Sequence, residues 1–278
     1  MKDDLVFDVG LHTGDDTEYY LRKGFSVVAI EASPDLVETA KIRFHWAIDR
    51  GRLHLIDGAI APASEGDKVT FYSSTHSDWG TISPAWASRN EMLGHPNEQT
   101  EVTRVDIAEL YRSYGIPFFL KIDIEGLDRF VLEELKGFQD RPRYVSLESE
   151  KTDFSQLKAE MDLLKNLGYK KFKVVQQETI LGMQITTRTL DGQPFECEFQ
   201  RYSSGPFGDD LPPPWLTYLE ALEEYRPIFR RYKYFGDYSA VRKLPWKVQD
   251  RVRNLYRMTS GYGGPLPGWF DTHARLRD

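Results

Sequence analysis

Cysteine is almost absent from this chain of 278 residues: Cys197 stands alone. A single thiol excludes an intrachain disulfide framework and a cysteine-built zinc site, and makes a reducing cytoplasm the simplest location. Long apolar runs are also missing. None approaches the roughly 20 residues that a membrane-spanning helix needs, so no membrane partner is expected. The chain opens Met1-Lys2-Asp3-Asp4 and passes almost directly into an apolar strand, which leaves no room for a secretory signal. Positive charge is in short supply, with 36 Lys and Arg against 43 Asp and Glu. The resulting net charge of −7 speaks against nucleic acid as a partner, because phosphate contacts need clustered Lys and Arg. There is no internal repeat and no low-complexity tract.

What is present reads as an ordinary globular protein, 40% hydrophobic and 28% charged. The charge is unevenly spread. Residues 201–278 hold 13 Lys and Arg against 9 Asp and Glu, whereas residues 1–200 hold 23 against 34. The same tail carries 15 of the 37 aromatic residues. Two regions with different tasks follow: 1–200, and an aromatic, Arg-rich extension over 201–278.

Strand and helix signals alternate from the start. Leu5–Val9, Ser26–Glu31 and Leu53–Ile56 read as buried strands. Between them lie a helix from Asp15 to about Lys23, ended by Gly24, and a second from Ser33-Pro34 with Val37, Ala40, Phe44 and Ala47 on one face. Lys68–Tyr72 is a further strand. Thr75–Thr100 reads as a long polar loop with a short helix, and Asp106–Tyr114 as a short helix. Phe118–Asp123, Arg143–Glu148 and Tyr169–Val175 are strands separated by helices with apolar stripes at Leu127–Phe138 and Phe154–Leu164. Runs around Ile185 and Phe195, joined by Leu190-Asp191-Gly192-Gln193, predict an antiparallel hairpin that finishes the sheet. After Pro212-Pro213-Pro214, helices are expected over 215–235 and 246–258. The pattern predicts an α/β fold: a doubly wound, mostly parallel, seven-stranded Rossmann-like sheet with an antiparallel C-terminal hairpin and a helical C-terminal extension.

Three constellations carry chemistry. The first strand ends in Asp8-Val9-Gly10-Leu11-His12-Thr13-Gly14, a glycine-bearing turn into a helix that lets a ligand approach bare backbone. A dinucleotide site would want Gly-x-Gly-x-x-Gly, with pyrophosphate at the helix start. Here His12 stands where the second glycine should be, and Asp15-Asp16 would repel pyrophosphate but suit a ligand bearing an ammonium and a sulfonium. A plain helix cap is the alternative. Glu31 ends the second strand at the distance where an acid accepts ribose hydroxyls; Asp57 ends the third and is a candidate for an adenine amino group. In Lys121-Ile122-Asp123-Ile124-Glu125-Gly126, strand alternation puts Lys121, Asp123 and Glu125 on one side at the carboxyl edge of the sheet. A structural Lys–Asp pair is the bland reading of the same residues.

Together these segments resemble the FkbM-type family of class I S-adenosylmethionine-dependent methyltransferases, from about Leu5 to about Val175. The anchors are Phe7-Asp8-Val9-Gly10 with Gly14 and Thr17, Val28 to Pro34, Leu120 to Gly126, the strand Pro142–Glu148, and Leu167-Gly168-Tyr169. The resemblance implies S-adenosylmethionine as cofactor and methyl transfer to a hydroxyl oxygen of a sugar or secondary metabolite. It implies cofactor roles for Asp8, Gly10, His12, Gly14, Thr17 and Glu31, and an active-site place for Asp123 and Glu125. His12-Thr13 and Asp15-Asp16 depart from the usual family pattern, and the tail after about Arg201 lies outside it.

For a hydroxyl acceptor the enzyme must align nucleophile, methyl and sulfur, and a base must remove the proton. Asp123 and Glu125 are the candidates, with Lys121 beside them. A divalent metal on the same carboxylates is a less favoured option. His273, two residues after Asp271, is a competing base, and His76 a weaker one. The tail is expected to cover a small-molecule or glycan acceptor. The rival readings are a nucleotide-dependent oxidoreductase, against which His12 counts, and a non-catalytic cofactor-binding module, against which Asp123 and Glu125 count.

Overall fold

β-Branched and apolar runs form the strands, and amphipathic stretches form the helices between them. The structure, a computed structural model, describes residues 1–74, 80–92, 94–124, 126–236 and 238–276. β1 (Lys2–Val9) leads through α1 (Asp15–Lys23) to β2 (Ser26–Glu31), and α2 (Pro34–Arg43) with the one-turn α3 (His45–Ile48) leads on to β3 (Leu53–Asp57). Leu5–Val9 and Val27–Glu31 are buried without a break, as strands covered on both faces must be.

The chain then leaves the main sheet. β4 (Ala59–Ile60), β5 (Lys68–Ser74) and β6 (Asn97–Val105) make a separate three-stranded sheet, with α4 (Pro84–Met92) between β5 and β6. α4 accounts for the short helix expected within Thr75–Thr100. β6 is a strand the sequence pattern does not announce: residues 98–101 are all exposed, so no apolar alternation marks them. The strand is held by its antiparallel ladder with β5, from Lys68 opposite Thr103 to Ser74 opposite Asn97.

Regular alternation resumes with α5 (Ile107–Tyr114), capped by the Asp106 carboxylate, which accepts from the Glu109 amide. β7 (Pro117–Ile122), α6 (Asp128–Glu134), β8 (Tyr144–Glu148), α7 (Phe154–Asn166) and β9 (Lys171–Gln176) follow. The hairpin β10 (Gln184–Arg188) and β11 (Pro194–Glu198) forms where expected, but as a two-stranded sheet of its own rather than as the end of the main sheet. Helices α8 (Tyr218–Phe235) and α9 (Trp246–Ser260) precede the last strand, β12 (Phe270–Arg275).

The main sheet has seven strands in the order β3-β2-β1-β7-β8-β12-β9. Six are parallel and β12 alone is antiparallel, wedged between β8 and β9. The tail therefore supplies the antiparallel strand that the hairpin was expected to supply. The division at residue 201 is one of composition, and the sheet runs across it. Two further contacts fix the tail. Phe207 stacks on Phe119 of β7 with ring centroids 4.1 Å apart, and the hydroxyls of Ser149, Tyr225 and Thr272 close a buried triangle with sides of 2.6, 2.9 and 2.7 Å. No helix among the described residues is long and apolar enough to cross a membrane.

From β1 the chain winds outward one way to β2 and β3, and from β7 the other way to β8 and beyond. The switch lies between β1 and β7, and the crevice outside their carboxyl ends is where a doubly wound sheet binds its ligand.

Candidate active site

Gly10 and Asp123 leave the sheet side by side at this switch. The Asp123 amide donates to the Val9 carbonyl at 2.9 Å, and Gly10 has a φ of +90°. A Cβ on Gly10 would stand 2.0 Å from the Asp123 carbonyl oxygen, so only glycine fits. The turn is then bound to β2: the Gly10 and Leu11 amides donate to the Ile30 carbonyl at 3.1 and 3.0 Å. His12, also in the left-handed region at φ 52°, donates its amide to Glu31 Oε2 at 2.8 Å, while the Ser33 amide donates to Oε1 at 2.8 Å. Burial raises the Glu31 pKa and these amides oppose the rise, so the carboxylate is fixed in place with further lone pairs to offer.

Under the turn lies a buried polar network. Lys121 Nζ donates to Asp8 Oδ1 at 3.0 Å and to the Gly10 carbonyl at 2.9 Å, and Asp16 Oδ2 is 3.5 Å away. Thr17 Oγ1 donates to Asp8 Oδ2 at 2.7 Å. Burial works against the Lys121 charge, but Asp8, Asp16 and Asp123 outweigh it and hold the ammonium firmly protonated. The structural Lys–Asp pair thus exists, with Asp8 as the close partner; Asp123 is 3.8 Å away.

The acidic start of α1 does not face an open site, as its charge suggested. Asp15 pairs with Arg43 at 2.8 Å. Asp16 accepts from Ser203 Oγ at 2.5 Å and the Ser204 amide at 2.9 Å, which ties the tail to the turn.

A cavity of about 660 Å³ opens above these elements, within the roughly 300–1,000 Å³ typical of ligand sites. Gly10, His12 and Glu31 line one end with the apolar Ile30, Leu36 and Ala59. Asp123, Glu148 and Asp271 line the other. Tail residues Arg201–Ser204 and Trp269 form part of the rim. Half of the Asp123 side chain is open to this space. Burial by the surrounding protein pushes its carboxyl up to about 6; Lys121 opposes the rise and Glu148 adds to it. Glu148 is itself paired with Lys151.

The expected site residues are thereby sorted. Gly10, His12, Glu31, Lys121 and Asp123 share the cavity. Asp8 and Thr17 are buried behind the turn and brace it. Gly14 is required by packing, since a Cβ there would meet the Phe44 ring at 2.5 Å. Asp57 is exposed at the end of β3, and its neighbours Gly58 and Ala59 line the cavity instead. His273 does not reach the cavity. Because β12 runs antiparallel, the two residues from Asp271 to His273 lead down into the core, where His273 lies between Ser146 and Lys173. Burial, with Lys173 adding, drives its pKa down to about 3, so it stands neutral. Glu125 and His76 lie outside the described residues. Asp271, Trp269 and the 201–204 loop escaped sequence reasoning as cavity residues; the turn-rich Gly263–Gly268 stretch before a short strand was the available signal. Among the described residues no group of three or more His, Cys, Asp or Glu is placed to hold a metal ion.

Comparison with known proteins adds one family. Residues 8–171 match a family model described as the methyltransferase FkbM domain. No curated protein matches the chain. Among solved structures, the chain is similar to the precorrin-6y C5,15-methyltransferase of Geobacter metallireducens GS-15, at 11% identity and a TM-score of 0.35, over 71% of this chain and 77% of that one. It is also similar to an O-methyltransferase of Bacillus cereus in complex with SAH, at 11% identity and a TM-score of 0.33, over 69% and 71%. A third is the fibrillarin pre-rRNA processing protein of Methanococcus jannaschii, at 12% identity and a TM-score of 0.34, over 62% and 59%.

Proposed function

This chain belongs to the FkbM methyltransferase family, and from that premise we propose that it moves the methyl group of S-adenosylmethionine to a hydroxyl oxygen of a small-molecule or glycan acceptor, with Asp123 taking the hydroxyl proton. The observation that carries this reading is the sharing of one cavity, at the switch between β1 and β7, by a fixed carboxylate at Glu31 and a half-open carboxyl at Asp123. The residues fit the cofactor. Glycine at position 10 leaves backbone bare, Glu31 has lone pairs left for ribose hydroxyls, and Ile30, Leu36 and Ala59 offer an apolar wall to a flat base. S-adenosylmethionine, when bound, supplies a methyl group on a positively charged sulfur, which makes that carbon electrophilic.

The remaining work falls to the protein. With a pKa of about 6, Asp123 is mostly ionised at neutral pH and close enough to neutrality to accept a proton. Lys121 keeps that pKa from climbing further and, through Gly10 and Asp8, ties the base to the turn that faces the cofactor. The tail contributes Arg201–Ser204 and Trp269 to the acceptor side, so the part of the chain beyond the family match shapes what is methylated.

The test is methyl transfer from radiolabelled S-adenosylmethionine to a panel of hydroxyl compounds by wild type and Asp123→Asn. The variant is expected to lose about 10²–10⁴-fold in kcat, with S-adenosylhomocysteine affinity retained. The wild-type rate should be flat above neutrality and fall as the pH drops through about 6, where Asp123 takes up its proton. Wild-type turnover by the Asn variant would refute the assignment.

A further inference from the structure

Three carboxyl side chains occupy one row across adjacent strands. Leu147 of β8 pairs with Ile122 of β7, so the next residues, Asp123 and Glu148, lie side by side, and Glu148 in turn pairs with Asp271 of β12. All three line the cavity. Lys121 is held by Asp8 and the Gly10 carbonyl, with Asp123 3.8 Å away, and Lys151 is paired with Glu148. Arg89 and Arg201 also line the cavity, and among the described residues no cation pairs with Asp271.

Asp271 is the residue this arrangement leaves over. It is 8% exposed, and its carboxyl makes no hydrogen bond or ion pair with any described residue. Burial, reinforced by Asp123 and Glu148, raises its pKa well above the ordinary aspartate range. A buried carboxyl open only to a ligand cavity is costly unless something satisfies it. Within the row, Glu148 has Lys151 and Asp123 has Lys121 at 3.8 Å, so among the described residues Asp271 alone is left without a cation. Trp269, two residues before Asp271, also lines the cavity, and an aromatic face favours an organic cation.

We infer that the acceptor carries a protonated amine, and that Asp271 is the residue that receives it. This rests on the methyl-transfer reading above and deepens it: the substrate class is a hydroxyl compound bearing an ammonium group, such as an amino sugar or an arylalkyl amine. Its selectivity comes from the tail strand rather than from the family-matched segment.

The experiment uses the full chain, with and without saturating S-adenosylhomocysteine, and two matched pairs of probes: glucosamine against glucose, and tyramine against 4-ethylphenol. Saturation-transfer NMR and calorimetry at about pH 6.5, where both amines are protonated, give the affinities. Each amine should bind at least about tenfold more tightly than its neutral partner, a difference of roughly 1.4 kcal/mol. Asp271→Asn should abolish the preference while S-adenosylhomocysteine still binds. Equal binding of neutral and cationic partners, failure of both amines to bind, or a preference that survives in Asp271→Asn would overturn the inference. Should the variant not fold, equal wild-type affinity for each amine and its neutral partner still does so. Failure of S-adenosylhomocysteine to bind the wild type strikes the methyl-transfer reading instead, and the amine comparison is then still read without it.

Discussion

Aspartate has a different fate at almost every buried position of this protein. Asp8 is neutralised by Lys121, Asp16 is tied to the tail, Asp123 opens to the cavity, and Asp128 is crowded by its neighbours. Burial, with Asp123 and Glu148 adding, pushes Asp128 from the ordinary 3.8 up to about 7, and its Oδ1 has no hydrogen-bond partner. A pKa raised in the folded state means that the group supports folding below about 4 and loses that contribution as the pH rises through about 7. Asp128→Asn removes the titration, so the melting temperature of the variant should gain on that of wild type between pH 5 and pH 8. The expected gain is at least about 1 kcal/mol, roughly 2–4 °C. Scanning calorimetry across that range checks it, and a constant difference would contradict it. At this scale the sequence was legible in placement: Glu31 and Asp123, each at the end of an apolar strand, both line the cavity. It was a poor guide to Asp8 and Asp15-Asp16, whose carboxylates are answered by residues far away in the chain, such as Lys121, Arg43 and Ser203.

Elements follow the same division. β1, β2, β7 and β8 are legible because both faces are buried in apolar contacts, which leaves continuous Val, Ile, Leu and Phe runs. β6 is hidden by its exposure. β12 is hidden for another reason: Asp271, Thr272 and His273 are polar yet buried, and the strand is held by backbone pairing to β8 and β9, with the Thr272 hydroxyl bonded to Tyr225 of α8. The loop from Arg201 to Gly205 joins tail, turn and cavity. Ser203 donates to Asp16 and also receives the Gly205 amide at 3.1 Å, so the hydroxyl holds the loop in shape. Ser203→Ala should leave Asp16 with fewer donors at a buried carboxylate, a loss of about 1–3 kcal/mol locally. Arg201 is exposed, so limited trypsin digestion followed by mass spectrometry should show faster cleavage after it in the variant. An unchanged cleavage rate would show that the Asp16 anchor does not restrain the loop.

For the molecule as a whole, the net charge of −7 hides a basic tail and an acidic body that share one sheet. Composition drew the boundary near residue 201, but burial does not respect it. Without residues 201–278, β8 and β9 lose the strand between them, Tyr144 and Phe119 lose Phe207, and Ser149 loses both hydroxyl partners. A fragment of residues 1–200 should therefore fail to show the cooperative thermal unfolding of the full chain by circular dichroism. A sharp transition in the fragment would restore 1–200 as a domain in its own right.

The most direct measurement for the methyl-donor site is calorimetric titration of the full chain with S-adenosylhomocysteine and, separately, with NAD. One molecule of S-adenosylhomocysteine should bind per chain, Glu31→Gln should weaken it by about tenfold or more, the equivalent of roughly 1.4 kcal/mol, and NAD should give no heat of binding. Binding of NAD in place of S-adenosylhomocysteine, or an affinity indifferent to Glu31, would contradict the assignment of the cavity between β1 and β7 to the methyl donor.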